Sequence, residues 1–251
     1  MSVYKEFARF YELGFWPDYS RRMAGVFPAV LKRFGLHPER LLDIACGEGT
    51  FAVAMAKAGL RVTGIDLSPD MLALARKKAE IEDVSIEFLN QDMRLFSFDA
   101  EFDLATCWYD SLNYILKTEE LAKTFANVRR ALKPGGYFIF DVNTIYGLAV
   151  DWQRYPWYVE MDSREMFQVI SPSYDFERNI VKLKITGFLR DGNTWRRIDE
   201  EHEERGYTLQ EIRRCFKKAG FVEFACTGDL AEMSMPNQWN DRVWFILQKP
   251  E

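Results

Sequence analysis

Histidine and cysteine are scarce in this chain: its 251 residues include 2 His and 4 Cys. With His37 and His202 as the only imidazoles, a histidine-rich metal centre is not expected. Cys46, Cys107, Cys215 and Cys226 stand far apart and form no Cys-x-x-Cys pair, so they read as buried thiols in a reducing compartment. No apolar run approaches the ~18 residues of a membrane span. The first residues, Met1-Ser2-Val3-Tyr4-Lys5-Glu6, lack an apolar signal core, so a cytoplasmic protein with no membrane partner is expected. Basic blocks are missing too. The net charge is −5, and no Lys/Arg stripe is long enough to neutralise a phosphate backbone. Nucleic acid is therefore not an expected partner. Internal repeats and low-complexity linkers are also absent. Length and composition suit one large α/β domain, or a core with a small appendage.

What the chain has is a glycine turn. In Leu41-Leu42-Asp43-Ile44-Ala45-Cys46-Gly47-Glu48-Gly49-Thr50, an apolar run ends in two glycines one residue apart, and helical apolar spacing begins at once. Glycine lets backbone approach a ligand closely, and the following helix start offers free N–H groups. This unit predicts a nucleotide-type cofactor pocket.

Around it, periodicity predicts helices over 3–13 and 19–34, with a turn cluster at Gly14-Phe15-Trp16-Pro17-Asp18. Strand 40–46, helix 50–58, strand 60–66 and a helix opened by Ser68-Pro69-Asp70 and running to Ile81 follow. Strands 84–89 and 102–107, a short segment through Asn113, helix 118–132, a sharp turn at Lys133-Pro134-Gly135-Gly136 and strand 137–142 complete the alternation. Such βαβα order predicts a parallel sheet covered by helices on both faces. The rhythm then changes. Residues 144–163 read as an aromatic loop, followed by β-like runs at 164–172, 176–190 and 194–205, the last two joined at Asp191-Gly192-Asn193. Helix 208–219 and strands 221–227 and 242–248 close the chain.

Three carboxylates fall where successive strands end: Asp43, Asp66 and Asp92. Ligands of open α/β sheets bind at that edge. A carboxylate at Asp66 can take both hydroxyls of a ribose, and Asp92 can accept from an exocyclic amine. Capping of turns or helices is the structural alternative for both. The glycine pattern alone also fits the dinucleotide fingerprint G-x-G-x-x-G/A, since Ala52 takes the third position.

Four ordered motifs separate these readings. Asp-Ile-Ala-Cys-Gly-Glu-Gly, then Gly64-Ile65-Asp66-Leu67-Ser68 with Asp70-Met71-Leu72, then Asn90-Gln91-Asp92-Met93, then Leu132-Lys133-Pro134-Gly135-Gly136-Tyr137 resemble the class I S-adenosylmethionine-dependent methyltransferases. The resemblance is strong over 38–143 and holds in outline over 208–248. It implies an α/β, Rossmann-like doubly wound sheet of seven strands, six parallel and the last reversed, with a small antiparallel β insert after the fifth strand. The corresponding parts are 1–143 (N-terminal helices and core), 144–206 (lid) and 207–251 (completion of the core).

By position, the resemblance puts Ala45, Gly47 and Gly49 along the methionine and ribose of S-adenosylmethionine. It puts Asp66 on the ribose hydroxyls, Leu67 and Met71 beside the adenine, and Asp92 and Met93 at its edge. N-terminal tyrosines of the family close over the cofactor, which nominates Tyr11 and Tyr19. Arg22 is the candidate partner of the methionine carboxylate. Cys107-Trp108-Tyr109-Asp110-Ser111-Leu112-Asn113-Tyr114 is where the family places residues near the transferred methyl, which puts Cys107 beside the cofactor. With Glu201-His202-x-Glu204-Arg205, this segment looks like the small-molecule methyltransferases with a lid, some of which modify amines such as glycine or amino sugars.

A protonated amine has no lone pair, so a nitrogen acceptor must bind neutral or lose its proton to a base, for which Asp110, Tyr109 and His202 are the candidates. Asp110 could instead cap residues 111–114, and His202 could be a solvated histidine. Trp152, Trp157 and Tyr158 could form a cation-binding wall or simply pack on the core. The expected function is methyl transfer to nitrogen or oxygen of a small molecule by a monomer or homodimer. A nicotinamide-dependent oxidoreductase and a non-catalytic cofactor-binding regulator are the alternatives. The Pro-Gly-Gly turn and reversed final strand oppose the former; the intact glycines and carboxylates argue against loss of binding in the latter. No Asn-Pro-Pro-Tyr tetrapeptide follows the fourth strand, which moves weight from planar amides and bases to free small acceptors.

Overall fold

The computed structural model describes residues 8–14 and 16–251, so the first half of the helix expected over 3–13 lies outside the described residues. Helices α1 (Ala8–Leu13) and α2 (Trp16–Phe34) precede an alternating core. That core runs β1 (Arg40–Ile44), α3 (Thr50–Lys57), β2 (Arg61–Asp66), α4 (Pro69–Ile81), β3 (Glu87–Asn90), β4 (Phe102–Cys107), α5 (Thr118–Ala131) and β5 (Leu132–Asn143). A four-stranded insert follows: β6 (Tyr158–Asp162), β7 (Met166–Asp175), β8 (Ile180–Asp191) and β9 (Thr194–Arg205). Helix α6 (Leu209–Ala219) and strands β10 (Val222–Thr227) and β11 (Arg242–Gln248) return to the core.

The large sheet has the order β10-β11-β5-β4-β1-β2-β3. Only β11 runs against its neighbours, β5 and β10. The strands read as continuous apolar runs because helices cover both faces of the sheet. One apolar layer joins Phe125, Phe138, Phe140, Phe216 and Phe245; the other joins Phe27, Phe51, Trp108 and Ile139. The insert forms a separate antiparallel sheet, β6-β7-β8-β9. Its inner face packs Met166, Ile170, Val181 and Ile185 against Phe10, Tyr11 and Met71.

Local chemistry explains the helix ends. Ser68 accepts from the Met71 N–H at 3.2 Å, with Pro69 in the first turn of α4. Thr208 and Glu211 close a reciprocal capping box on α6, and Gly220 ends it in the left-handed conformation. Gly49 opens α3 at φ +81°, and a Cβ there would stand 2.9 Å from that of Ala75. That glycine is what lets α3 and α4 meet at the turn.

Three sequence expectations are corrected. The segment 14–18 is not all turn: α2 begins at Trp16 and takes Pro17 in its first turn, where a missing N–H costs nothing. The Lys133–Gly136 turn is a bulge within β5, because Phe102 lies opposite Leu132 and Leu104 opposite Tyr137. Residues 144–163 are not only loop, since a π turn (Gly147–Asp151) and strand β6 occupy much of them. The insert therefore has four strands rather than three, with β7 and β8 at 166–175 and 180–191. Among the described residues, no helix is long and apolar enough to cross a membrane.

Candidate active site

A cavity of about 320 Å3 opens beyond the carboxyl ends of β1, β2, β3 and β4. Strand order reverses beside β1, which lies between β2 and β4. Crevices of this kind are the usual ligand sites of open α/β sheets. The glycine turn forms one wall through Ala45, Cys46, Gly47 and Glu48; Asp66, Leu67, Ser68 and Met71 form the next. Gln91, Asp92, Met93 and Arg94 follow β3, and Trp108, Tyr109, Ser111, Tyr114 and Ile115 follow β4. Tyr11 and Ser20 close it from the N-terminal helices.

Asp66 bridges two turns. Its carboxylate accepts from the Gly47 N–H and the Ser68 N–H, both at 2.8 Å. One lone pair on each oxygen remains for the cavity. Burial raises its pKa, against the lowering effect of those N–H groups. Leu67 beside it is 55% exposed, an apolar side chain standing open at the cavity mouth. Asp92 is held differently: Arg94 grips both its oxygens, at 2.6–3.1 Å, and keeps its pKa low.

Among the described residues, three buried polar atoms of cavity-lining side chains have no hydrogen-bond partner: Asp43 Oδ2, Gln91 Oε1 and Trp108 Nε1. Asp43 Oδ1 accepts from the Thr106 hydroxyl at 2.9 Å. Desolvation nonetheless pushes the Asp43 carboxyl up to about 7. An orphaned buried polar group costs about 1–3 kcal/mol, so three in one cavity mark a place where a polar ligand belongs. Ala45, Tyr109 and Asp110 have φ between +54° and +56°, rare for residues with a Cβ. Backbone strain thus collects where β1 and β4 end.

Behind Tyr109 lies a buried ionic cluster. Asp141, at the end of β5, accepts from the Tyr109 N–H at 2.8 Å and the Asp110 N–H at 2.9 Å, which holds the strained turn. Arg242 of β11 pairs with Asp141 and, at 2.9 Å, with Asp110. Asn143 donates to Asp110 at 2.8 Å and to Glu204 of the insert at 3.2 Å. Three carboxylates thus surround one guanidinium. Burial raises Asp110 to about 6 and, helped by the Asp110 charge, pushes Glu204 far above the usual range. Tyr19 stacks on Tyr109 at 4.6 Å, with the Arg242 guanidinium 4.8 Å from the Tyr19 ring centroid.

The expected site residues divide into two groups. Tyr11, Ala45, Gly47, Asp66, Leu67, Met71, Asp92, Met93 and Tyr109 line the cavity. Tyr19, Gly49, Cys107 and Asp110 stand outside its lining: Tyr19 and Asp110 support Tyr109, Gly49 shapes the helix start, and Cys107 is core. Asp110 takes the cap position of Ser111–Tyr114, but its side chain makes no capping bond. Arg22 is on the surface, 3.9 Å from Asp229. His202 is buried rather than solvated, with Tyr114 2.9 Å from one ring nitrogen and Glu200 3.1 Å from the other. Trp152 and Tyr158 pack into the insert's apolar layer, whereas Trp157 is exposed. Sequence reasoning gave no role to Gln91 or Trp108, although each adjoins a nominated residue.

The profile of the methyltransferase-domain family matches residues 41–136, the part of the chain that builds the cavity. A protein of Geobacillus sp. (strain WCH70), named only as a methyltransferase, is 34% identical over 222 residues, 87% of this chain and 88% of its own. YqeM of Bacillus subtilis (strain 168), likewise named only as a methyltransferase, is 34% identical over 212 residues, 84% of each chain. Among solved structures, an S-adenosylmethionine-dependent methyltransferase from Clostridium acetobutylicum superposes with a TM-score of 0.86 at 27% identity over 99% of both chains. An amino pentose methyltransferase from Micromonospora echinaspora, solved with S-adenosylmethionine bound, shares the fold at a TM-score of 0.68 and 20% identity, over 93% of this chain and 91% of its own. Whole-length identity to methyltransferases, a family profile over the glycine turn, and a cavity at the sheet's switch point agree. This chain belongs to the S-adenosylmethionine-dependent methyltransferase family.

Proposed function

We propose that this enzyme methylates a nitrogen or oxygen atom of a small molecule held between the β4 turn and the insert. One observation carries the reading. Tyr11, Met71 and Tyr109 face the cofactor cavity and are also packed under the four-stranded sheet. The insert therefore covers the reaction end, and a covered site favours acceptors small enough to be enclosed. The net charge of −5 argues in the same direction, since it does not suit a nucleic-acid acceptor. Two fold neighbours, the amino pentose enzyme and a sugar N-methyltransferase from Streptoalloteichus sp., act on small molecules by their names.

The cavity's unpaired atoms fit the cofactor's groups. Asp66 has acceptor capacity for a diol, and the buried oxygens of Asp43 and Gln91 suit N–H donors. The Trp108 N–H suits a carboxylate oxygen, while Leu67, Met71 and Met93 give an apolar slot for a base. S-adenosylmethionine supplies a methyl group on a positively charged sulfur, already activated for displacement. The protein's task is then alignment, worth ~7–11 kcal/mol in favourable cases. Tyr109, Ser111 and Tyr114 border the acceptor, and Asp141 fixes Tyr109 through its backbone. Asp110 is tied to Arg242 and Asn143 behind that turn, so its proposed role is to position Tyr109.

The test is S-adenosylhomocysteine release from the purified enzyme given pools of small amines and hydroxy compounds, with peptide and RNA pools in parallel. Turnover in a small-molecule pool, lost in Asp66→Ala together with cofactor affinity, is expected. Turnover confined to the peptide or RNA pool would overturn the reading.

A further inference from the structure

The underside of the insert carries a polar pair in an otherwise apolar surface. Gln168 sits at 0% exposure on β7 between Met166 and Ile170, both core residues of the same face. Neither its amide nitrogen nor its amide oxygen has a hydrogen-bond partner among the described residues. Both ends of one amide left unpaired are costly in a dry layer, where each would ordinarily be satisfied.

The neighbouring strand is built irregularly at this point. Val159 lies opposite Val169 and Met161 opposite Gln168, so Glu160 is an extra residue in β6. A bulge of this kind re-aims a side chain. Here Glu160 is half-buried, between exposed Val159 and half-buried Met161. Its carboxylate makes no ion pair or hydrogen bond with a described residue. It is close enough to Tyr109 and Tyr158 to raise the pKa of both phenols. Burial raises its own pKa as well. The nearest cation to Tyr109, Arg242 at 5.5 Å from the ring centroid, is already held by Asp110 and Asp141.

A half-buried carboxylate without a counter-ion, two aromatic rings, and an amide with a free donor and a free acceptor together describe the complement of one ligand class. The rings and carboxylate suit an ammonium, and the amide suits a hydroxyl or carbonyl beside it. Tyr109 links this pair to the cofactor cavity, whose wall it forms. We infer that Glu160 and Gln168 form the acceptor-recognition site in the lid, selecting an amine that arrives as an ammonium, passes one proton to the Glu160 carboxylate to free its lone pair for the methyl, and carries an adjacent hydrogen-bonding group. The inference rests on the small-molecule methyltransferase reading and narrows it to amines.

Two variants and a simple probe test it. Ethanolamine combines an ammonium with a nearby hydroxyl; ethylene glycol is its uncharged counterpart. Thermal unfolding of the S-adenosylhomocysteine-loaded enzyme is followed at equal ionic strength with rising concentrations of each. Ethanolamine is expected to raise Tm in the wild type and ethylene glycol is not. In Glu160→Gln, the ethanolamine concentration needed should rise at least tenfold. Gln168→Met, close in volume and without the orphaned amide, should raise Tm in the absence of probe while weakening the response to ethanolamine. Absence of a shift in the wild type, equal responses to the two probes, an unchanged response in Glu160→Gln, or a lowered Tm in probe-free Gln168→Met would each overturn the inference. Calorimetric binding of S-adenosylhomocysteine to all three proteins keeps this test separate from the cofactor reading, which fails only if that binding is absent.

Discussion

Asp43 joins sequence, burial and binding at a single carboxyl group. It lies inside β1, one residue before the strand ends, so its side chain cannot reach bulk water. The Thr106 hydroxyl satisfies one oxygen and leaves the other buried without a partner among the described residues. Its pKa stands at about 7 against an ordinary 3.8. Between those values the folded protein holds a proton that the unfolded chain has released, so stability falls as pH rises through that window. Full ionisation costs on the order of 4 kcal/mol by this shift. Asp43→Asn should therefore lose less Tm than the wild type between about pH 4 and pH 7. A donor from the cofactor that pairs with the ionised form would lose that interaction, so S-adenosylhomocysteine should bind the variant about tenfold or more weakly, as calorimetry would register. A variant with wild-type pH dependence and affinity would show that Asp43 is only a buried strand residue.

Among elements, the contact that couples the N-terminal helix to the lid is a missing side chain. A Cβ at Gly187 of β8 would come within 2.4 Å of the Phe10 ring. Phe10 is buried there, and its neighbour Tyr11 reaches the cofactor cavity. Gly187→Val should lift α1 from the sheet at an overpacking cost of about 1–3 kcal/mol. Faster hydrogen exchange over residues 8–14 and weaker S-adenosylhomocysteine binding are the expected readouts. Gly25→Ala, where a Cβ meets nothing within 4 Å, should change neither. Unaltered exchange in Gly187→Val would separate α1 from the lid.

Elements with strong local signals were legible in the chain. The strand–glycine turn–helix unit and the Ser68-Pro69 start each act within a few residues, and the helices begin there. The β6 strand was not legible, because a bulge breaks the alternation that betrays a strand and its edge position leaves Val159 exposed. The start of α2 was hidden by reading Pro17 as a turn residue. In the site, residues fixed by the glycine turn and the strand ends followed from spacing. Gln91 and Trp108 did not, because their importance lies in polar atoms that burial leaves unpaired, which no spacing reveals. Arg22 fails to reach the cavity because α2 packs through Met23, Phe27 and Val30 and turns that arginine to the surface.

The whole molecule is a parallel sheet whose reversed strand and inserted sheet meet at one place. Arg242 from β11, Asp141 and Asn143 from β5, Asp110 from the β4 turn and Glu204 from β9 converge behind Tyr109. Elements distant in sequence thus fix one strained turn, so the Tyr109 end of the cavity is positioned by the completed fold rather than by a local loop. That convergence ties the insert to the β4 turn through Glu204 and Asn143, which supports the proposal that the acceptor is held between Tyr109 and the insert.

A crystal structure of the chain with S-adenosylhomocysteine tests this account most directly. It should show the ribose hydroxyls on Asp66, the base between Leu67 and Met93, and the sulfur directed toward Tyr109 beneath β6 and β7. A nucleoside bound elsewhere, or a sulfur directed away from Tyr109 and the insert, would contradict it.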